Sequence, residues 1–319
     1  MYKEAKMFGK TVLTGEAYRQ ALLCINNMDN FVHGKHEFVE NIFDSLTFFA
    51  NAIKEILPSQ NSDLIVESLA GQFDIDSVVS FSDAWDYWDD MYGILFEGKE
   101  PRTPLDQMLF SGKHVSSHRY FNGIESLANS RADTIAKMLL QLLPPDPERK
   151  MLDLGAGPGI YSNVFASCGL VNQSLCVDLP YVRKIYEQKV IQRVSWESAN
   201  LLEYRPDSKD KYGFVYLANI LHHHKKENIA RIFNNISSTI DDNGYLVIQD
   251  YILWPIPTLS PIYAAILGVH FALTTEGSRC YTNAEITSMV FENIEGMKFY
   301  ASINVGTADL MVFMKDGRL

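Results

Sequence analysis

The chain has 319 residues, 47% of them apolar, enough for one large domain or two ordinary ones without disulfide or metal staples. Its net charge of −11 argues against a nucleic-acid partner, because phosphate binding needs a concentrated basic face and none is visible. Four cysteines (Cys24, Cys168, Cys176, Cys280) show no CxxC spacing, which points away from a zinc ribbon or a disulfide framework and fits a reducing cytoplasm.

The opening "MYKEAKMFGK" has no long apolar core after its charges, so it does not read as a secretory signal. Residues 12–100 are helix-like, with apolar spacing of three and four in "FVENIFDSLTFFANAIKEIL" and again in "AWDYWDDMYGILFEG". "EGKEPRTP" and "PPDPERK" are charged, proline-bearing breaks, and between them the spacing predicts an amphipathic helix over 129–143, started by Asn129 or Ser130. From residue 150 the period changes. Short apolar runs, "KMLDLG", "SLCVDL", "FVYLANIL" and "YLVIQDYIL", alternate with helical stretches, which implies parallel pairing in a doubly wound sheet. "PIYAAILGVHFAL" is too short to span a bilayer. The tail "KFYASINVGTADLMVFMK" breaks at Gly306 into two β-rich runs, suited to an antiparallel hairpin at the sheet edge.

The first of these strands ends in "LDLGAGPGIYS", with Gly155, Gly157 and Gly159 after a strand and before a helix, where glycine permits a tight turn and close approach to a ligand. The spacing G-x-G-x-G is not that of the dinucleotide motif. The second strand ends at Asp178, which is placed either to accept hydrogen bonds from ribose hydroxyls or to cap the next helix.

Together, "LDLGAGPG", the Asp ending strand two, "ANLLEY" after strand three and the tail hairpin resemble the class I S-adenosylmethionine-dependent methyltransferases over residues 110–319. The resemblance implies a Rossmann-like α/β fold: a seven-stranded sheet with a reversed last strand behind an all-helical N-terminal domain. It puts Gly155, Gly157 and Gly159 under the methionine part of the cofactor, Asp178 on the ribose, Asn200 on the adenine and Asp153 beneath the loop as its organiser, with Asn219 counted among the cofactor-contacting residues. Within that superfamily the chain resembles small-molecule O-methyltransferases. That likeness implies residues 1–110 as a helical lid and dimerisation region, residues 111–319 as the methyltransferase domain, and a homodimer. The aromatics Trp85, Tyr87, Trp88 and Tyr92 suit such a region, and a core would explain them equally well.

In the resembled O-methyltransferases a strand-four "ILHD" supplies a histidine that deprotonates a phenol. Here "NILHHH" puts His222 at that position and His223 in place of the acid. Asp250 falls where one acidic partner ends strand five, whereas "EGSRCYT" puts Cys280 where the second glutamate would stand. His270, on a helical face with Ile262 and Ile266, is either a core histidine or the second ligand of a metal site. The latter resembles metal-dependent C-methyltransferases of 2-oxo acids or 1,3-dicarbonyl units. It implies His222 and His270 as ligands of iron, manganese, cobalt or zinc, His223 as the next choice, and Asp250 or Gln249 as a third ligand or support. His224 is expected to face solvent with Lys225 and Lys226. Arg279 and Arg119 are the candidate anchors for a substrate carboxylate, and Met108, Phe110, His114 and His118 are candidates for the pocket border.

The sequence thus points to a cytoplasmic enzyme that methylates a small molecule, free or carrier-bound, in natural-product metabolism. Carbon methylation of a metal-chelated acceptor stands narrowly ahead of metal-free O-methylation with His222 as base. A non-catalytic cofactor-binding paralogue is the rival from another class. An N-methyltransferase on nucleic acid or protein lacks both an "NPPY" motif and a basic face.

Overall fold

A computed structural model describes residues 23–24, 27–31, 39–47, 86–102, 117–207, 209–255, 259–275, 277–306 and 308–317. The chain forms two compact units, one of Met1–Gly123, His222–Lys225 and Tyr251–Thr282, the other of Ile124–Leu221, Lys226–Asp250 and Asn283–Leu319.

The second unit is built on a seven-stranded sheet. Its strands are β1 (Lys150–Leu154), β2 (Gln173–Asp178), β3 (Val194–Ser198), β4 (Tyr212–Ala218), β5 (Ile240–Asp250), β6 (Met297–Asn304) and β7 (Asp309–Lys315). The order is β3-β2-β1-β4-β5-β7-β6, with β1 to β5 paired in parallel and β7 antiparallel to both β5 and β6. The tail hairpin and the reversed last strand follow the sequence pattern. Apolar runs in β1 and β4 are buried on both faces, as central parallel strands require, while β6 at the edge is largely exposed.

From residue 117 on, the α-helices among the described residues are, in chain order, α1 (Ser117–Leu142), α2 (Ile160–Ser167), α3 (Pro180–Tyr186), α4 (Lys226–Ile236), α5 (Leu259–Thr274) and α6 (Asn283–Asn293). Helix α1 corrects the expected start at Asn129 or Ser130: it begins twelve or more residues earlier. Ser130 Oγ donates to Leu127 O at 2.8 Å, so the hydroxyl bonds a carbonyl within the helix instead of capping a new one. Beneath α2, Phe165 meets Phe214 and Tyr216 edge-on, with ring centroids 6.0 and 5.2 Å away, in the core that fixes the first crossover onto the sheet.

In the first unit, residues 39–47, a turn at Asp86–Asp89 and a π-helical turn at Gly93–Glu97 are helical, as the spacing predicts, and α5 carries the segment 261–273. Phe31 stacks on Phe43 at 4.1 Å, and buried Asp90 pairs with Lys99 and Arg102 just beyond the π turn. Trp85 and the Trp88 side chain lie outside the described residues. Among the described residues no helix is long and apolar enough to cross a membrane.

Candidate functional site

Strand order reverses at β1, which pairs with β2 on one side and β4 on the other. The crevice beyond the carboxyl ends of two such strands is where open α/β sheets bind ligands. At this point β1 runs into the glycine loop and β4 into Asn219.

The loop is held by the strand beside it. Gly155 N–H donates to Val177 O at 2.8 Å and Gly157 N–H to Asp178 Oδ2 at 2.7 Å. Gly155, Gly157 and Gly159 have φ of 69°, 52° and 69°, in the left-handed region that side chains disfavour. A Cβ on Gly155 would overlap Ile220 Cδ1 and lie 2.8 Å from Cγ1, so this position also has no room. Gly159 is the N-cap of α2 and brings no side-chain hydrogen bond, which leaves the first N–H groups of that helix facing the loop.

Asp178 Oδ1 also accepts the Leu179 N–H at 2.7 Å. Leu179 is the N-cap of helix α3 and makes no side-chain cap bond itself, so Asp178 ties the glycine loop to the start of that helix. Burial pushes its carboxyl up to about 6, against the pull of the two backbone donors. Asp153, 1% exposed, accepts the Ser162 hydroxyl at 2.6 Å from below the loop. Burial raises its pKa to about 7; Ser162 opposes this and the charge of Asp178 adds to it. Asn200 Oδ1 accepts Leu202 N–H at 3.0 Å in an exposed turn after β3. Asn219, at φ 56°, hands its N–H to Gln249 O at 2.8 Å, while its Oδ1 is buried with no hydrogen-bond partner. A tight glycine turn, a carboxylate at the end of β2 and an orphaned amide oxygen at the end of β4 fit a nucleoside cofactor with a charged amino-acid tail. The seven residues expected to hold it, Asp153, Gly155, Gly157, Gly159, Asp178, Asn200 and Asn219, all belong to this unit.

The histidines belong to the other unit. Leu221–His223 is a 3-10 turn that brings the His222 and His223 rings together, with centroids 4.3 Å apart. His222 is 3% exposed, and its ring stacks on Phe271 at 4.0 Å and 13°. Its Nε2 lies 3.1 Å from His223 Nε2, and Tyr251 is 5.5 Å away. His270, equally buried, sits edge-on to Phe271 at 5.8 Å. Burial first, and then the neighbouring His222, pushes the His270 pKa down to about 3 and that of His223 well below its ordinary value. His224 corrects an expectation: it is half-buried, its pKa is held at about 4 by burial and then by His222, and its carbonyl accepts the Tyr281 hydroxyl at 2.6 Å.

Asp250, in the sheet unit, accepts the Leu221 N–H through Oδ2 at 2.9 Å and braces the start of the turn. Gln249 spends its amide on two phenols, accepting from Tyr216 and donating to Tyr161 at 3.0 Å. Among the described residues no three His, Cys, Asp or Glu side chains gather as a metal-holding group. Arg279 donates to Cys280 O at 3.1 Å and lies 5.0 Å over the Tyr281 ring. Met108, Phe110 and His114 lie outside the described residues, as do the side chains of His118, Arg119, Ile262 and Ile266. Sequence reasoning missed Phe271, Ser278 and Tyr281, although each is adjacent or next but one to a residue already singled out.

Residues 127–284 match a family described as a methyltransferase domain. No curated protein sequence matches the chain. Among solved structures, an O-methyltransferase family protein from Burkholderia thailandensis aligns over 97% of this chain and 98% of its own, at 15% identity and a TM-score of 0.61. Human N-acetylserotonin methyltransferase in complex with S-adenosylmethionine aligns over 78% and 70%, at 14% identity and a TM-score of 0.57. A candidate O-methyltransferase from Nostoc punctiforme aligns over 64% of this chain at 21% identity and a TM-score of 0.53; this chain spans only 61% of that protein's length. The family match and the shared fold agree with the cradle between β1 and β4: residues 127–284 form a methyltransferase domain.

Proposed function

We propose that the protein methylates an acidic hydroxyl, phenolic or enolic, of a small molecule, with His222 as general base. One observation carries this reading: the residue that follows β4 and its turn is a buried imidazole with a fixed ring plane and a second imidazole nitrogen 3.1 Å away. When bound, S-adenosylmethionine supplies an electrophilic methyl group on a sulfonium sulfur. Gly155, Gly157 and Gly159 let the backbone approach it, Asp178 and Asn200 take its ribose and adenine, and Asn219 Oδ1 accepts from its ammonium group. His222 takes up the acceptor's proton at Nε2, and His223 shares that proton as hydrogen-bond partner. Asp250 positions the turn and does not touch the proton. The names of the Burkholderia and Nostoc neighbours, each called an O-methyltransferase, favour an oxygen acceptor.

Carbon methylation of a metal-chelated 2-oxo acid or dicarbonyl is the second reading. Its support is the close His222–His223 pair, since neutral imidazoles are good ligands. The described donors do not complete a three-residue centre, which sets it behind the first reading. The homodimer, the helical lid and dimerisation region at 1–110, the methyltransferase domain at 111–319, the cytoplasmic setting and a carrier-borne acceptor belong to the same proposal. Four free cysteines, three of them buried, suit a reducing compartment.

The test is a panel of phenols, enols and 2-oxo acids assayed for release of the demethylated cofactor, with and without chelator, and the product resolved by NMR. O-methyl products insensitive to chelator, with kcat down by about 10²–10⁴ in His222→Ala and unchanged cofactor affinity, support the base. C-methyl products lost on chelation replace it with the metal reading.

A further inference from the structure

We infer that Phe271 and Ser278 position His222, the first through its ring plane and the second through its backbone carbonyl. The inference rests on His222 being the base. It starts from a closed circuit of contacts within one unit. Phe271 lies face to face with the His222 ring at 4.0 Å and 13°, which fixes the ring plane. One turn on, Thr275 Oγ1 donates to Phe271 O at 2.6 Å. Ser278 N–H donates back to Thr275 Oγ1 at 3.3 Å, and the two hydroxyls touch. Ser278 Oγ then donates to His222 O at 2.7 Å, which returns the circuit to the residue where it began.

The circuit holds both halves of the histidine. Stacking holds the imidazole plane but leaves sliding in that plane open, and a hydrogen bond to the carbonyl fixes the backbone but not the ring. Both together leave the side chain little freedom about χ1 and χ2. Tyr281 adds a second grip on the same turn by donating to His224 O at 2.6 Å. Four of the participants, Phe271, Thr275, Ser278 and His222, are 4% exposed or less, so water does not compete for these bonds. Segment 277–282 therefore brings two hydroxyls to the histidine turn.

The experiment compares wild type with Phe271→Leu, Ser278→Ala, their double variant, Ser278→Thr, Tyr281→Phe and His222→Ala. Readouts are kcat, KM, cofactor affinity and the His222 ring-proton resonances in histidine-labelled protein. Expected are a loss of about tenfold in kcat for each single variant with KM and cofactor affinity within twofold. The double variant is expected to be no worse than the poorer single, because both act through one ring. Phe271→Leu should also move the His222 ring protons downfield as the ring current is lost, and Ser278→Thr should restore kcat. If Ser278→Ala does not fold, Tyr281→Phe, which removes one hydroxyl only, carries the hydroxyl arm with a smaller loss in kcat. An inactive His222→Ala beside Phe271→Leu and Ser278→Ala variants of undiminished kcat and unmoved ring protons overturns the inference and leaves the base standing. An active His222→Ala overturns the base, and with it the inference, which rests on that base.

Discussion

Asp178 and Gly157 are 21 positions apart in sequence and 2.7 Å apart in space, and the bond between them sets the glycine loop against the end of β2. The carboxylate has one oxygen on Gly157 and the other on Leu179, and each oxygen keeps a second lone pair for a ligand hydroxyl. Asp178→Ala removes both functions. Hydrogen bonds to charged groups are worth about 1.5–3 kcal/mol, so the cofactor dissociation constant should rise by roughly ten- to a hundredfold in calorimetry. Asp178→Asn, which keeps one acceptor oxygen, should fall between. An unchanged dissociation constant in the alanine variant would remove Asp178 from the cofactor site.

Gly155→Ala meets two obstacles. Its φ of 69° costs a side-chain-bearing residue about 1–2 kcal/mol, and the added carbon has no room beside Ile220. The expected result is a lowered Tm together with weakened cofactor binding. Adding Ile220→Val to the alanine variant relieves part of the overlap at Cδ1 and leaves the backbone strain. The double variant should therefore recover only part of the loss, and full recovery would show that crowding alone made glycine necessary.

The buried Asp153 makes stability depend on pH in a defined sense. Its pKa is about 7 in the folded chain, raised by burial, against about 3.9 in an unfolded one. The native state thus keeps this proton to higher pH than the unfolded state. The stabilisation is complete below about pH 4 and is lost as pH rises through about 7. Asp153→Asn cannot ionise, and its amide oxygen can still accept from Ser162. Thermal unfolding should show the variant gaining on wild type between pH 5 and pH 8. A difference in Tm that stays constant over that interval would contradict the buried, protonated state.

Legibility in the sequence tracked how local the cause was. The strands and the glycine turn were readable because an apolar run and a G-x-G-x-G spacing act within ten residues, and the tail hairpin because Gly306 separates two β-rich runs. The start of α1 was not. Its first turns carry polar residues and Gly123, and a serine that looks like a cap bonds inside the helix. Gln249 and Asp250 were legible as residue types and not as partners. The antiparallel β5–β7 pairing and the Tyr161 and Tyr216 phenols that settle their environment lie 33 to 88 positions away. Phe271 was hidden for the same reason: an aromatic in an apolar helix reads as core until the structure shows which ring it stacks on.

Asp250 tests how the turn after β4 is held. Its Oδ2 takes the buried Leu221 N–H at 2.9 Å, one residue before the imidazole. Asp250→Ala strands that N–H, at a cost of about 1–3 kcal/mol, and frees the turn to shift. Asp250→Asn keeps an oxygen acceptor in place. If Asp250 serves by position, the asparagine variant should hold most of the wild-type kcat and an unaltered pH profile, while the alanine variant loses about tenfold or more in kcat. If Asp250 instead takes part in proton transfer, both variants should fall together by a hundredfold or more, because neither can carry the charge. A pH–rate profile of the asparagine variant decides between these: an acidic limb that coincides with wild type means that the carboxylate orients the backbone and leaves the proton to the histidines.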